Sequence, residues 1–397
     1  MDETMGKPHA ARDAARLQAG WVRWRHALHR EPELGFAEHR TARRVARLLG
    51  AFGLQVHEGI GGTGVVASLR VGRGSRAIGL RADMDALALN EDAPQRAHAS
   101  RRAGCMHACG HDGHMAMLLG AAQLLSARRD FDGTVHFVFQ PAEEHGRGAR
   151  AMLADGLLQR FPMDEIYAAH NIPGLPAGHI ATRAGAIMAA EDNFTIEVHG
   201  RGGHAARPHM AVDALVVGAE IVLALQTLVS RAVDPAQPAV VSCTGMQTDG
   251  IRNALASRVV IDGDTRSFTP QVQDLLQQRM RALCEGIAGA HGARCSVDYR
   301  NVFAPTVNDA ACTAAAVATA RRVAATVDDD VAPMLISEDF GALLQAVRGA
   351  FVFIGNGDAP DAAPLHNPRY DFNDAIVGVG ANYFAELVRM RLPRTSA

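Results

Sequence analysis

The chain has little net charge, few cysteines and no long basic or apolar run, and each shortage removes a class of function. Forty basic and 42 acidic side chains in 397 residues leave a formal net charge of -2. That balance gives no electrostatic footing for nucleic acid or an anionic membrane surface. Arginine doublets such as Arg43-Arg44, Arg128-Arg129 and Arg321-Arg322 stay isolated and suit solvated helix faces and loop ends. Six cysteines in so long a chain make no disulfide scaffold and fit a reducing compartment. No apolar segment approaches the roughly 18 residues that a membrane helix needs. Met1 to Gly20 is polar and Ala-rich, without the apolar stretch of a signal peptide. A cytoplasmic protein with no membrane or nucleic-acid partner is expected. Internal repeats and low-complexity segments are also missing.

What is present is a globular composition, 48% hydrophobic and 21% charged, in a chain long enough for two domains. Helical patterns from Ala10 to Leu54 are interrupted at Glu31-Pro32-Glu33-Leu34-Gly35. Short apolar runs then alternate with helices: Gly64 to Leu69, Arg76 to Arg81, a helix His114 to Leu125, Thr134 to Gln140, a helix Ala149 to Gln159, and Glu165 to His170. Such alternation predicts an α/β layered domain. After Ile187 the order becomes strand, helix, two strands, helix, strand, which is the ferredoxin-like arrangement. The α/β pattern resumes from Asn308, with Phe351 to Ile354 a strand and Ala375 to Arg391 a closing helix. The expected organisation is an α/β domain formed by 1–186 and 302–397, split by an inserted α+β domain over 187–301, with hinges near Ala186 and Asn301.

The chemistry concentrates in Cys105-Met106-His107-Ala108-Cys109-Gly110-His111-Asp112-Gly113-His114 and in Glu143-Glu144. Thiolate, imidazole and carboxylate hold transition-type divalent metals. Cys109 and His111 flank one glycine, which lets the backbone fold tightly around an ion. A zinc finger would need a second Cys/His pair at short spacing, and Cys105 does not supply it. Glu143-Glu144 follows the apolar run Phe137-Val138-Phe139-Gln140 and Pro141. Two adjacent acids ordinarily mark a solvated turn. Beside a Cys/His cluster they can divide roles, one holding metal and the other taking a proton from water. Asp83 and Asp85 follow another apolar run, and His170 ends a third. Ligands gather at the carboxyl ends of strands in open α/β sheets. Most single histidines are bystanders, and His26, His39, His57 and His291 are read as surface residues.

Seven stretches together carry a family resemblance: RADMDAL (Arg81 to Leu87), MHACGHDGH (Met106 to His114), FQPAEE (Phe139 to Glu144), AHNIPGLPAG (Ala169 to Gly178), GGHAARPH (Gly202 to His209), SEDF (Ser337 to Phe340) and LHNPRYDFND (Leu365 to Asp374). They resemble the M20 family of metallopeptidases, in its amidohydrolase branch with hippurate hydrolases and plant indole-acetyl-amino-acid hydrolases. The resemblance spans about Arg25 to Leu387. It implies a di-metal, aminopeptidase-like catalytic domain with a lid domain that often forms a dimer interface, so a homodimer or higher homo-oligomer is expected. By resemblance the metal ligands are Cys109, His111, Glu144, His170 and His366, binding two divalent ions (Zn, Mn, Co or Ni), and Glu143 is the general acid/base. Asp83 and Asp85 orient ligands from beneath the site. His204 stabilises an oxyanion, and Asn253 and Arg266 hold the substrate carboxylate, although Arg266 equally suits a surface ion pair. The implied reaction cleaves the amide bond of an N-acyl amino acid. Dipeptide hydrolysis, deacetylation of N-acetyl amino acids, or metal binding without turnover are the alternatives. Departures at Ala88, Arg96-Ala97-His98, Cys105, His145-Gly146-Arg147 and around Asn253 surround the site without touching a ligand, so they bear on substrate identity. Arg96, Arg147 and Arg252 suit either an acidic substrate group or plain surface positions.

Overall fold

A computed structural model describes residues 6–394 of the chain; Met1 to Met5, part of the polar N-terminal reading, lie outside them. Two compact units divide it. Among the described residues, those up to Ile187, Val307–Ala332 and those from Asp339 on form one, and Met188–Thr306 with Pro333–Glu338 form the other.

The first unit is built on helices α1 (Gly6–His29), α2 (His39–Ala51) and α3 (His111–Arg128) and strands β1 (Gln55–Ile60), β2 (Gly64–Val71), β3 (Ala77–Asp83), β4 (Gly133–Gln140) and β5 (Glu165–Pro173). An eight-stranded sheet runs in the order β1, β2, β4, β3, β5, then Gly349–Gly357, Ile180–Ala181 and Val327–Asp328. β1, β2 and β4 pair antiparallel, whereas β4, β3, β5 and Gly349–Gly357 are parallel. Parallel strands are covered on both faces and read as continuous apolar runs. AIGLRAD in β3 and EIYAAHN in β5 are buried throughout apart from the first residue of β3. The carboxyl ends of β3, β4 and β5 therefore share one edge of the sheet, and Asp83, Gln140 and His170 stand along it.

α3 is apolar on every side, and a helix of that kind is buried: all residues from His111 to Ala122 are buried. Gly120 allows this crowding, since a Cβ there would lie 2.8 Å from Ala381 and 3.1 Å from Trp21. Two expectations change in this unit. The helix Ala149 to Gln159 is two pieces, Gly148–Ala154 and Leu157–Arg160, because Gly156 at φ 81° turns the chain left-handed between them. His26 is no surface bystander: its Nε2 lies 2.8 Å from Asp374 Oδ2 and its ring stacks on His98 at 3.9 Å.

The second unit has a four-stranded antiparallel sheet in the order Ala239–Thr248, Arg258–Ser267, Ala190–His199, Arg294–Phe303. Helices Ala214–Thr227 and Pro270–Ala290 complete the ferredoxin-like alternation. Asp213 and Thr269 cap their N-termini by accepting backbone N–H groups. Val217, Ile221 and Leu225 of the first helix join Phe194, Ile196, Leu276 and Met280 in the core. The expectation of no long apolar segment is corrected here. Ala214–Ala232, with mean hydropathy 1.6, is long and apolar enough to cross a membrane by length and composition. Its Val217, Ile221 and Leu225 row is buried in this unit's own core, whereas Leu215, Val216 and Leu223 are exposed.

Candidate metal centre

Strand ends, one helix start and one loop of the first unit set the positions of six chemistry-bearing residues. α3 starts at His111, and Gly110 before it holds φ 91°. A Cβ at Gly110 would stand 2.2 Å from Asn171 Oδ1 and 2.8 Å from the Tyr370 hydroxyl, so only glycine lets the Cys109-Gly110-His111 turn sit against β5. His170 and Asn171 lie near the end of β5, and His366 sits in a loop at φ 63° with its N–H bonded to Ala108 O at 2.8 Å. Ligand atoms of Cys109, His111 and His170 lie within 4.8 Å of one another, as do those of Cys109, Glu144 and His366. His111, Glu143 and Glu144 form a further such group.

Hydrogen bonds orient these donors. His111 Nδ1 lies 2.9 Å from the Asp85 carbonyl, and a carbonyl only accepts, so Nδ1 carries a proton and Nε2 is the nitrogen left to face a metal. That Nε2 faces Glu144 Oε1 at 3.8 Å and Glu143 Oε2 at 3.9 Å. His170 follows the same logic: Nδ1 donates to Asn171 O at 2.6 Å, and Nε2 lies 3.4 Å from Cys109 Sγ. His366 Nε2 stands 3.5 Å from Glu144 Oε2. Asp85 also accepts the Glu144 N–H at 3.1 Å, and thus touches both neighbours of the cluster.

The electrostatics suit a cation. Burial favours the neutral form of Asp83, but His111, His114 and Arg81 outweigh it and hold the carboxyl well below its usual range. Burial, with Asp85 and Asp83 adding to it, pushes Glu144 up to about 7 against the pull of His111. His111 is lowered by burial yet raised overall to about 10 by Asp83, Asp85 and Glu144. Three inward atoms, His111 Nε2, Glu144 Oε1 and Asp85 Oδ1, are buried with no hydrogen-bond partner among the described residues. Buried polar atoms are ordinarily satisfied. A sulfur, imidazole and carboxylate set with such unfilled valences fits a divalent metal.

Several supporting residues escaped the reading of the sequence. His114 is one helical turn beyond His111, and its two ring nitrogens lie 2.7 Å from Asp83 Oδ1 and 2.7 Å from Asn171 Oδ1, so it braces rather than ligates. Asn171 in turn donates to the Tyr370 hydroxyl at 2.5 Å. The i, i+3 spacing of His111 and His114 was the available signal. Glu143 opens a short 3-10 turn and its Oε1 accepts the Asp339 N–H at 3.1 Å. Asp339 Oδ2 also accepts from Gln140 Nε2 at 3.0 Å, and Gln140 Oε1 accepts from Arg81, which pairs with Asp83 at 2.7 Å. One chain of bonds thus runs from Asp83 to Glu143. Arg96, read as a candidate for an acidic substrate group, is instead paired with Glu91 at 2.5 Å and Asp371 at 3.3 Å.

The remaining named residues belong to the second unit. His204 and Asn253 come together on a small ribbon: His204 pairs with Ala254, and Asn253 O accepts the Ala205 N–H at 3.1 Å. His204 is exposed, with Nδ1 accepting from the Ala206 N–H at 3.0 Å. Arg266 is held by Glu191 at 2.7 Å and Asp264 at 2.8 Å, which is the ion-pair alternative for that residue.

Residues 79–390 match the peptidase family M20/M25/M40. A hippurate hydrolase of Campylobacter jejuni is 38% identical over 374 residues, covering 94% of this chain and 96% of that protein. The chain belongs to the M20/M25/M40 peptidase family. It is accordingly a metal-binding hydrolase of the M20 type. An N-acetyl-L-cysteine deacetylase of Bacillus subtilis is 36% identical, covering 91% of this chain and 85% of that one. Among solved structures, a dinuclear metal-binding peptidase of the M20 family from B. subtilis superposes with a TM-score of 0.83 at 31% identity, covering 95% of this chain and 99% of that chain.

Proposed function

We propose that this M20 hydrolase cleaves the amide bond of N-acyl amino acids, hippurate-like in class, to a carboxylic acid and an amino acid. The observation that carries the reading is Glu143, a carboxylate set against the donor cluster and aimed by the Asp339 N–H. A site built only to hold metal needs no base beside its ligands. The hippurate hydrolase and N-acetyl-L-cysteine deacetylase relatives support the substrate class.

In this reading Cys109, His111, Glu144, His170 and His366 hold two divalent ions. Zn, Mn, Co and Ni all tolerate their mixed N, O and S donors. Bound ions would supply Lewis-acid polarisation of the acyl carbonyl and acidify a water. Glu143 accepts the proton from water as the amide carbon is attacked, then returns it to the leaving amine. Asp85 fixes the His111 tautomer through its carbonyl, leaving Nε2 as the donor to metal. His204 is assigned the role of stabilising the oxyanion and Asn253 that of holding the substrate carboxylate. Arg266, already paired with two acids, has the smaller claim to that carboxylate. A homodimer, and a cytoplasmic setting suited to six free cysteines, belong to the same proposal.

Replacement of Glu143 by Gln tests the assignment. Release of free amino acid from benzoyl, acetyl and indole-acetyl conjugates should fall by about 10²–10⁴-fold, with metal content unchanged. Full activity in that variant would remove Glu143 from the mechanism. The rank order of conjugates in the wild type separates hydrolysis of aromatic acyl groups from deacetylation.

A further inference from the structure

The charged groups behind the metal centre form a second layer that the reaction does not use. Arg25 and His29 stand one turn apart on α1, both fully buried. They converge on Asp112, the residue after His111. Arg25 Nη1 donates to Asp112 Oδ2 at 3.1 Å, and His29 Nδ1 lies 2.9 Å from the same oxygen. The same guanidinium also reaches the opposite loop: Nε donates to Asp374 Oδ1 at 2.6 Å, and Nη1, already bonded to Asp112, lies 3.6 Å from Asp371 Oδ1. Asp371 and Asp374 follow His366 by five and eight residues in the same connection. A planar fork with fixed donors can bind carboxylates on two sides at once, which a lysine point charge cannot.

We propose that Arg25 and His29 are positioning residues that hold the Cys109–His111 turn in register with the His366 loop, and so set the affinity of the centre for a divalent cation. Neither side chain is proposed to touch metal or substrate. The inference rests on the ligand assignment given above. Its physical basis is that His111 and His366 must meet around ions although they lie 255 positions apart. The His366 N–H to Ala108 bond is one tie between the loops, beside the packing of Tyr370 and Phe372 of the same connection against Gly110 and Gly113. Arg25 supplies a further, charged tie on the far side of α3's first turn. Groups that orient metal ligands from behind typically change metal affinity by about 10–100-fold when removed.

The experiment measures Zn²⁺ affinity of the full chain by competition with a chromophoric chelator, alongside thermal unfolding of the metal-free form. Four variants are compared: Arg25→Lys, His29→Gln, Cys109→Ser and Glu165→Gln. Glu165 is an equally buried carboxylate at the opposite end of β5, bound by Arg76 at 3.0 Å and Arg348 at 2.9 Å. Its loss should lower the melting temperature and leave Zn²⁺ affinity unchanged. Arg25→Lys and His29→Gln should each weaken Zn²⁺ binding about 10-fold or more, beyond anything the stability control shows. If Arg25→Lys does not fold, His29→Gln, which leaves the Arg25 to Asp374 bond in place, carries the same comparison. Unchanged Zn²⁺ affinity in both, with Cys109→Ser weakened, overturns the clamp and spares the ligand assignment. Unchanged affinity in Cys109→Ser as well overturns both.

Discussion

His29 ties stability to pH in a window that its surroundings define. Burial alone would lower its pKa, but Asp112 attracts the charged ring, and hydrogen bonds to Asp112 and Glu91 hold it, against a smaller repulsion from Arg25. The balance raises it from an ordinary 6.5 to about 9. His98 and His107 meet the ring edge-on and tilted, at 5.3 and 6.2 Å. A group whose folded pKa lies above its unfolded value stabilises fully below the unfolded pKa, and that contribution is lost as pH rises through the folded one. Here the stabilisation is present below about pH 6.5 and gone above about pH 9. A pKa difference of that size corresponds to about 3 kcal/mol. His29→Gln lacks the proton, so the gap in unfolding free energy between wild type and variant should shrink by about that amount across the window. Groups remote from His29 cancel in the difference, whereas Asp112, Glu91 and His107 feel its charge and contribute to it. Urea unfolding at half-unit pH steps measures it. Fluorescence is a local probe, because both tryptophans, Trp21 and Trp24, lie on α1 four and one residues before Arg25. A gap that stays flat from pH 6 to 9.5 would refute the reasoning.

Two other substitutions examine the frame around the centre. Gly110→Ala places a methyl group on Asn171 and Tyr370 at positive φ, and should abolish stoichiometric metal binding, measured by elemental analysis after desalting. Phe137→Ala empties a fully buried site in β4 and should cost about 3–5 kcal/mol in denaturant unfolding. A loss below about 1 kcal/mol would show that the sheet relaxes around the missing ring.

The central strands and the metal cluster were legible because they are locally encoded. Continuous apolar runs mark β3, β4 and β5, and Cys109-Gly110-His111 and Glu143-Glu144 are contiguous in sequence. β1 is hard to read because QVHEGI buries one residue in six and alternates poorly. The helix Ala310–Val323 was hard to place because Ala-rich segments such as AACTAAAVATARR carry weak periodicity. The bracing residues were hidden for a different reason. Arg25, His29 and Asp112 look like ordinary charged positions on helices, and only burial by distant segments turns them into a network. Gly110 and His114 could be suspected from spacing. Asp339 could not, since the bond to Glu143 is made by its backbone N–H.

The order of strands in the first sheet also governs when that sheet can be completed during synthesis. β5 pairs on one side with β3 and on the other with Gly349–Gly357, which leaves the ribosome last among the long strands. Residues 188–306 form most of a separate unit and are made in between. At roughly 5–20 residues per second, the open edge of β5 waits on the order of ten to forty seconds for its partner. The second unit can therefore mature while the first is still unfinished. Until Gly349–Gly357 arrives, the nascent chain carries an unpaired apolar strand, a template for mispairing. A chaperone that shields β5 over that interval would protect the yield of this protein more than one acting after release.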